Sequence, residues 1–122
     1  MKFGFSTITV NDMHESIEFY TTVLGLKELR SFSPNENIDI VFLTDGEIGK
    51  VELIKYKNKG TQSCDCTNVS LGFCVADMDK AIEMLNSKGI AILHTQTSGP
   101  MTFLFIKDPN GVSIELIEGF NL

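Results

Sequence analysis

Apolar and polar residues alternate along several short stretches of this chain, and in two longer segments the apolar residues recur at helical spacing. Residues 2–10 alternate and are rich in β-branched and aromatic types, which predicts a strand. Asp12 follows as a predicted helix N-cap, with Glu15 three residues later to complete a capping box. Residues 13–24 carry apolar side chains at helical spacing, and Gly25 stands where a helix commonly ends in a left-handed residue.

Three more strands are predicted in the first half of the chain, at residues 27–33, 38–44 and 50–56. Asp45 and Gly46 supply turn chemistry between the last two of these strands. The first half therefore has the element order βαβββ.

The second half repeats this order. A strand is predicted at residues 68–75, and a helix begins after Asp77 and ends at Gly89. Three strands follow the helix, at residues 90–95, 101–107 and 112–118. The sequence DPNG between the last two strands predicts a turn, because Pro presets one backbone angle and Asn-Gly tolerates positive φ.

Four residue identities at one offset indicate an internal duplication. The residues recur 65 positions later: Val10 and Val75, Asp12 and Asp77, Met13 and Met78, Ile17 and Ile82. The predicted fold is α+β, with two tandem βαβββ modules in one domain that spans residues 1–122. The modules, 1–57 and 68–122, are joined by the polar linker 58–67. Each helix is expected on the outer face of a curved mixed sheet, and the opposite faces are expected to surround a cup.

Strand alternation assigns side chains to the two faces of each predicted sheet. Eight apolar residues are expected to pack under the helices: Ile8, Val10, Val51, Leu53, Leu71, Phe73, Ile114 and Leu116. The residues expected to line the cup are chemically mixed, and they are the candidate ligand-binding residues: Phe5, Thr7, Glu52, Ser70, Cys74, Phe103, Phe105 and Glu115. The phenylalanines would supply apolar walls for a planar ligand.

Glu52 and Glu115 are the most informative of these residues. Each stands in mid-strand between two apolar neighbours, at corresponding places in the two modules. A carboxylate in a cavity is partly desolvated, which favours a counter-charge, a metal or a ligand donor beside it. The alternative is a solvated sheet face on which both glutamates are ordinary polar residues. The symmetry of the pair favours a functional role, with Glu115 as the candidate catalytic residue.

Charge and hydropathy exclude several classes of function. A net charge of −6 and a pI near 4.8 argue against a nucleic-acid partner, which needs a basic face. No apolar run approaches the roughly 18 residues of a membrane span, and residues 1–10 lack a signal-peptide core. No membrane association and a cytoplasmic location are therefore expected. The spacing of Cys64 and Cys66 disfavours a disulfide and supplies half of a zinc site, so no role is expected for them.

Two histidines and one cysteine have weaker claims to a role. His14 falls in the first turn of the first helix and is expected at the surface. His94 has two interpretations: a strand-end residue near solvent or, with a shifted strand, an acid, base or ligand in the cup. Cys74 is expected to be a small residue in the wall of the pocket.

Three segments carry a resemblance to a known family: residues 10–26 (VNDMHESIEFYTTVLGL), 50–56 (KVELIKY) and 107–118 (KDPNGVSIELIE). Together they resemble the vicinal oxygen chelate superfamily, which includes glyoxalase I, extradiol dioxygenases, fosfomycin-resistance enzymes and bleomycin-binding proteins. The pattern is most similar to short bacterial glyoxalase I. In short members of this superfamily the cup commonly combines one module from each of two chains, so the resemblance implies a homodimer.

The resemblance also implies a divalent metal, which glyoxalase I holds with His or Gln, Glu, His and Glu. These positions fall on Phe5, Glu52, Ser70 and Glu115, so only the two glutamates are retained. A phenyl ring has no donor atom, and a neutral hydroxyl is a poor substitute for imidazole. No metal cofactor is therefore expected, and any Mg²⁺ or Mn²⁺ on the two carboxylates would be weakly bound.

Three functions are consistent with these residues. The leading prediction is metal-independent binding of a small organic molecule, with Phe5 as an apolar wall and the two glutamates meeting polar or cationic groups. The alternative is a divalent-metal-dependent lyase, isomerase or dioxygenase-like enzyme that uses Glu52 and Glu115. The third is a degenerate dimerisation module, which a cavity below about 300 Å³ would favour.

Overall fold

Each half of the chain folds into a four-stranded mixed sheet with one helix, in the predicted order βαβββ. The computed structural model describes residues 1–62 and 68–120. The chain divides into two units, Met1–Ser63 and Cys64–Leu122, and the division falls inside the predicted linker 58–67. The prediction of an α+β fold is confirmed.

The first unit contains strands β1 (Ser6–Thr9), β2 (Lys27–Asn35), β3 (Ile38–Thr44) and β4 (Lys50–Tyr56). Its helix α1 (Met13–Glu18) continues directly into a π-helical segment, Phe19–Val23. The strand order across the sheet is β1-β4-β3-β2, and β1 runs parallel to β4 while the other pairs are antiparallel.

The second unit contains strands β5 (Ser70–Cys74), β6 (His94–Ser98), β7 (Met101–Lys107) and β8 (Ser113–Glu118), with helix α2 (Met78–Ser87). The strand order is β5-β8-β7-β6, with β5 parallel to β8. The two sheets therefore have the same topology, as the internal duplication predicts.

Both helices begin and end where their sequence signals lie. The side chain of Asp12 accepts a hydrogen bond of 2.9 Å from the Glu15 N–H, and that of Asp77 accepts one of 3.1 Å from the Lys80 N–H. These carboxylates satisfy backbone donors that the first helical turn leaves unpaired. Gly89, beyond the end of α2, has a φ of 69°, a conformation that costs glycine little.

Alternating residues of the central strands form the buried face of each sheet. In the first unit the buried strand residues are Ile8, Val41, Leu43, Val51 and Leu53, and in the second they are Leu104, Ile106, Ile114 and Leu116. Leu71 and Phe73 on β5 are half-buried, and their pairing with Ile114 and Leu116 places them on the predicted face.

The strand boundaries differ from the prediction at several places. β1 starts at Ser6 instead of residue 2, because its pairing with β4 begins there. The strand predicted at 90–95 is wrong: β6 covers His94–Ser98, since its partners on β7 are residues 101–105. β2 extends two residues beyond the predicted end, to Asn35.

No helix within residues 1–62 and 68–120 is long and apolar enough to cross a membrane.

Candidate functional site

The sheet face opposite the buried residues of the first unit carries a row of chemically different side chains. Strand pairing places Thr7 beside Glu52, Glu52 beside Phe42, and Phe42 beside Arg30, so the row crosses all four strands. Glu52 and Phe42 are half-buried, whereas Thr7 and Arg30 are exposed. This face of the sheet therefore carries a carboxylate, an aromatic ring and a guanidinium.

The carboxylate of this row is held by its neighbour. The Thr7 hydroxyl donates a hydrogen bond of 2.8 Å to Oε1 of Glu52. This bond joins two residues that were both predicted for the site from strand alternation. It orients the carboxylate on the sheet surface and engages one of its two oxygen atoms.

Three phenylalanines form an aromatic cluster on the same face. The Phe5 and Phe42 rings meet edge to face with centroids 5.0 Å apart, and the Phe32 and Phe42 rings are nearly parallel at 6.5 Å. Phe5 is 45% exposed and Phe32 is 36% exposed. Exposed aromatic rings in contact with one another offer a surface against which a planar ligand can pack.

The second sheet repeats this arrangement. Gly72 lies beside Glu115, Glu115 beside Phe105, and Phe105 beside His94. The His94 and Phe105 ring centroids are 6.5 Å apart, and Nε2 of His94 lies 3.3 Å from Oε1 of Gln96. The order is again carboxylate, phenyl ring and basic side chain, from the inner strand of the parallel pair to the antiparallel edge strand.

The other predicted site residues of this unit lie on the same face. Phe103 packs edge to face against Phe105 with centroids 6.2 Å apart. Ser70 and Cys74 are exposed, and they flank Gly72 at alternate positions of β5. Among the residues that the structure describes, Cys74 is a free cysteine. Within the second unit, the structure thus brings Ser70, Cys74, Phe103, Phe105 and Glu115 to one sheet face.

Sequence reasoning missed the edge-strand members of the two rows. Arg30 received no role, and His94 was expected near solvent unless its strand was shifted. The strand is shifted, and His94 is both exposed and on the face of Glu115. The pairing register decides which residue of an edge strand lies beside Phe42 or Phe105. This register is irregular in β2, and the periodicity of the sequence does not reveal it.

The donor atoms of this face do not fit the metal that the family resemblance implies. Phe5, at the first ligand position, packs its ring on Phe42 and has no donor atom. Glu52, at the second, already accepts the Thr7 hydroxyl bond. Within residues 1–62 and 68–120, no group of three or more His, Cys, Asp or Glu side chains is placed to hold a metal ion.

The remaining candidates are not part of either row. His14 is almost fully exposed on α1, and its Nε2 lies 3.9 Å from a carboxylate oxygen of Glu18. Cys64 and Cys66 lie outside the described residues.

Comparisons with known proteins agree with the fold. Residues 2–116 match the family model described as Glyoxalase/Bleomycin resistance protein/Dioxygenase superfamily. A lactoylglutathione lyase of Salmonella typhimurium is 32% identical, over 97% of this chain and 93% of that protein.

Among solved structures, the trypanothione-dependent glyoxalase I of Leishmania major superposes with a TM-score of 0.83 at 27% identity, over 97% of this chain and 86% of that one. A glyoxylase/bleomycin resistance protein/dioxygenase domain from Frankia sp. EAN1pec, at 24% identity, has a TM-score of 0.81 and covers 98% of both chains. The second of these likenesses concerns the fold alone.

Proposed function

Because the chain belongs to the Glyoxalase/Bleomycin resistance protein/Dioxygenase superfamily, we propose that it binds a small organic molecule without using a metal. The binding surface is the exposed sheet face that carries Glu52 and its counterpart that carries Glu115. A planar apolar part of the ligand packs on the phenylalanines, and a cationic or hydrogen-bond-donating part meets the carboxylates.

The observation that carries this proposal is the environment of Glu52. Its carboxylate accepts a hydrogen bond from the Thr7 hydroxyl. Phe42 is the neighbour of Glu52 on the adjacent strand, and its ring contacts that of Phe5. An oriented carboxylate beside exposed aromatic rings suits an aromatic amine, because the amine supplies the donors that a carboxylate accepts while the ring covers apolar surface.

A fluorescence titration with 2-naphthylmethylamine tests the proposal. The double variant Glu52→Gln, Glu115→Gln keeps the size of both side chains and removes their charges, and each charge-assisted contact at a partly exposed site contributes up to about 1 kcal/mol. We expect the amine to bind the native protein and to bind this variant up to about fivefold more weakly for each contact that is lost.

The matched control is the double variant Glu47→Gln, Glu83→Gln, which changes the net charge equally at exposed positions in the turn before β4 and on α2. It should bind the amine as the native protein does. Equal affinity for the native protein and the Glu52→Gln, Glu115→Gln variant would reject the assignment of these glutamates to the site.

A second candidate is a lyase, and the observation that favours it is the 32% identity with a lactoylglutathione lyase over nearly the whole chain. Its test is turnover of a methylglyoxal–thiol hemithioacetal by protein loaded in turn with Mg²⁺, Mn²⁺, Ni²⁺ and Zn²⁺. Turnover that is lost in Glu115→Gln would establish the lyase in place of the metal-independent binding protein.

We further propose that the chain is a homodimer. Each unit leaves large apolar side chains exposed, and a dimer interface that covered some of them would remove apolar surface from water. They include Phe3, Leu29, Ile48, Val69, Leu93 and Phe120. Light scattering after size-exclusion chromatography should give twice the chain mass of 13.5 kDa, and a monomeric mass at all concentrations would contradict the dimer.

A further inference from the structure

Arg30 is a cation on the candidate face, and the binding of a simple amine does not use it. Its Cζ lies 4.8 Å from the centroid of the Phe32 ring, an arrangement in which the ring attracts the guanidinium. Arg30 pairs with Phe42 across β2 and β3, and Phe42 pairs with Glu52 across β3 and β4. The residues that carry these opposite charges are therefore the two cross-strand neighbours of Phe42.

The spacing of the strands sets the distance between the backbone positions of Glu52 and Arg30. Neighbouring strands lie about 4.8 Å apart, so the backbone positions of Glu52 and Arg30, two strands from each other, are separated by about 10 Å. In the described part of the chain, Arg30 has no ion pair or hydrogen bond, and Glu52 uses only Oε1, for Thr7. Both charged groups are available to a ligand.

We propose that this face recognises an amphoteric aromatic molecule, a refinement that rests on the function proposed above. The planar ring lies on Phe42 and the adjoining phenylalanines, a cationic group meets Glu52, and an anionic group meets Arg30. The guanidinium suits a carboxylate or phosphate because its planar fork donates two parallel hydrogen bonds. The separation of the two residues, about 10 Å between their backbone positions, favours ligands with their charged groups at opposite ends of the ring.

The second sheet repeats the order of residues on which this proposal rests. Glu115, Phe105 and His94 occupy its face in the same order as Glu52, Phe42 and Arg30. Basic side chains thus stand at the edge position of both rows. The buried face of each sheet already supplies the core, so packing does not require this order on the opposite face.

Lys50 is the competing cation on the first sheet, since it lies two residues before Glu52 and on the same face. It stands on the same strand as Glu52, whereas Arg30 stands across Phe42 from it. A ligand that spans Phe42 would use Arg30, and one that lies along β4 would use Lys50. Variants of the two cations therefore distinguish the two orientations.

The test uses four probes with one naphthalene ring and different charges: 6-(aminomethyl)-2-naphthoate, 2-naphthylmethylamine, 2-naphthoate and 2-naphthylmethanol. Their affinities for the native protein are measured by fluorescence titration. We expect the first, which carries both charges, to bind about three- to fivefold more tightly than the amine, as one additional exposed ion pair allows.

Arg30→Gln should abolish the gain from the carboxylate, so that this variant binds the amphoteric probe no more tightly than 2-naphthylmethylamine. Lys50→Gln should preserve the gain, and Arg30→Lys should keep part of it, because the charge remains and the planar fork is lost. Circular dichroism establishes that each variant is folded. Arg30 is exposed on an edge strand, so its replacement leaves the core intact.

The proposal is overturned if the amphoteric probe binds no more tightly than the amine, or if its advantage survives Arg30→Gln and is lost in Lys50→Gln. In either case, amine binding that depends on Glu52 would leave the proposed function standing. If no naphthalene probe binds the native protein, both the function and this refinement of it fail.

Discussion

The Thr7 hydroxyl donates a hydrogen bond of 2.8 Å to Oε1 of Glu52 across the parallel strands β1 and β4. The equivalent pair in the second sheet is Gly72 and Glu115, and the glycine has no side chain to donate. The two glutamates are therefore not equivalent. Glu52 is oriented by a neighbour, whereas Glu115 has open space beside it at Gly72.

Replacing Thr7 by Val should weaken amine binding without weakening the fold. Valine has the shape of threonine and a high strand propensity, but it cannot hold the Glu52 carboxylate. Without the bond, the Glu52 side chain must be immobilised when the amine binds, at a cost of about 0.5–1 kcal/mol. This cost predicts an affinity for 2-naphthylmethylamine about two- to fivefold lower, with a melting temperature close to that of the native protein because the lost bond is exposed.

Thr9→Val is the matched control for this change. Thr9 lies on the same strand and the same face, but its partner is Ile54 instead of a carboxylate. Its replacement should leave amine binding as it is. Equal losses in the two variants would mean that the threonines act through the strand and not through Glu52.

Replacing Gly72 by Ala should stabilise the protein by about 0.5–1 kcal/mol. A glycine inside a strand loses more backbone freedom on folding than alanine does, and a Cβ at Gly72 would meet no atom within 4 Å. The free energy of unfolding is measured by urea denaturation. Gly119→Ala is the contrasting variant, since Gly119 has a φ of 80° and a Cβ there would collide with the carbonyl oxygen of Pro100. Stabilisation by both substitutions would contradict this explanation.

Sequence alone predicts the central strands well and the edges poorly. β3, β4 and β7 have the predicted bounds, because each contains an alternation of buried and half-buried positions. β6 lies at a sheet edge and every one of its residues is exposed, so no burial pattern marks it. The apolar residues 90–93 precede the strand instead of forming it. The backbone N–H of Leu93 donates a hydrogen bond to the carbonyl oxygen of Phe105.

The same distinction explains which site residues could be found. Glu52 and Glu115 stand out because a carboxylate among apolar strand residues breaks a local pattern. Arg30 lies on a strand whose pairing with β3 has two register irregularities, so its position beside Phe42 depends on contacts distant in sequence. Local periodicity contains no information on that pairing.

Asp39 should give the stability of the protein a dependence on acid pH. The Ser33 hydroxyl, which donates a hydrogen bond of 2.5 Å to its carboxylate, and the ammonium of Lys57, at 3.3 Å, together outweigh partial desolvation and lower the pKa of Asp39 below its ordinary value of 3.8. The folded state then binds this proton less readily than the unfolded state. The stabilisation is complete above the ordinary pKa and is lost as the pH falls through the folded-state pKa.

Urea denaturation of the native protein and of Asp39→Asn at about pH 6 and about pH 3 measures this effect. At the higher pH, the native protein should be more stable than Asp39→Asn. The difference in unfolding free energy between the two proteins should shrink at the lower pH. Glu83→Gln, an exposed position on α2, is the control and should show no such convergence. A difference that is constant with pH would contradict the ionic origin of the stabilisation.

Restoring imidazoles at Phe5 and Ser70 should convert the chain into a metal-binding protein. The family resemblance puts histidine or glutamine at the first of these positions and histidine at the second, and the two glutamates of the set are present. Both residues are exposed, so the substitutions leave the buried core intact. Imidazole nitrogen suits Ni²⁺ and Zn²⁺, whereas the native set offers carboxylates, a hydroxyl and a phenyl ring.

Elemental analysis of untagged protein, paired with a thermal-shift titration of Ni²⁺ and Zn²⁺, measures the outcome. The native protein and the control Phe5→Leu, Ser70→Ala should contain far less than one ion per chain, and the double-histidine variant should approach about one, with a melting temperature that rises with metal concentration. Near-stoichiometric metal in the native protein would contradict metal-independent binding and favour the lyase. A double-histidine variant without metal would mean that the missing imidazoles are not what keeps this chain from binding a metal.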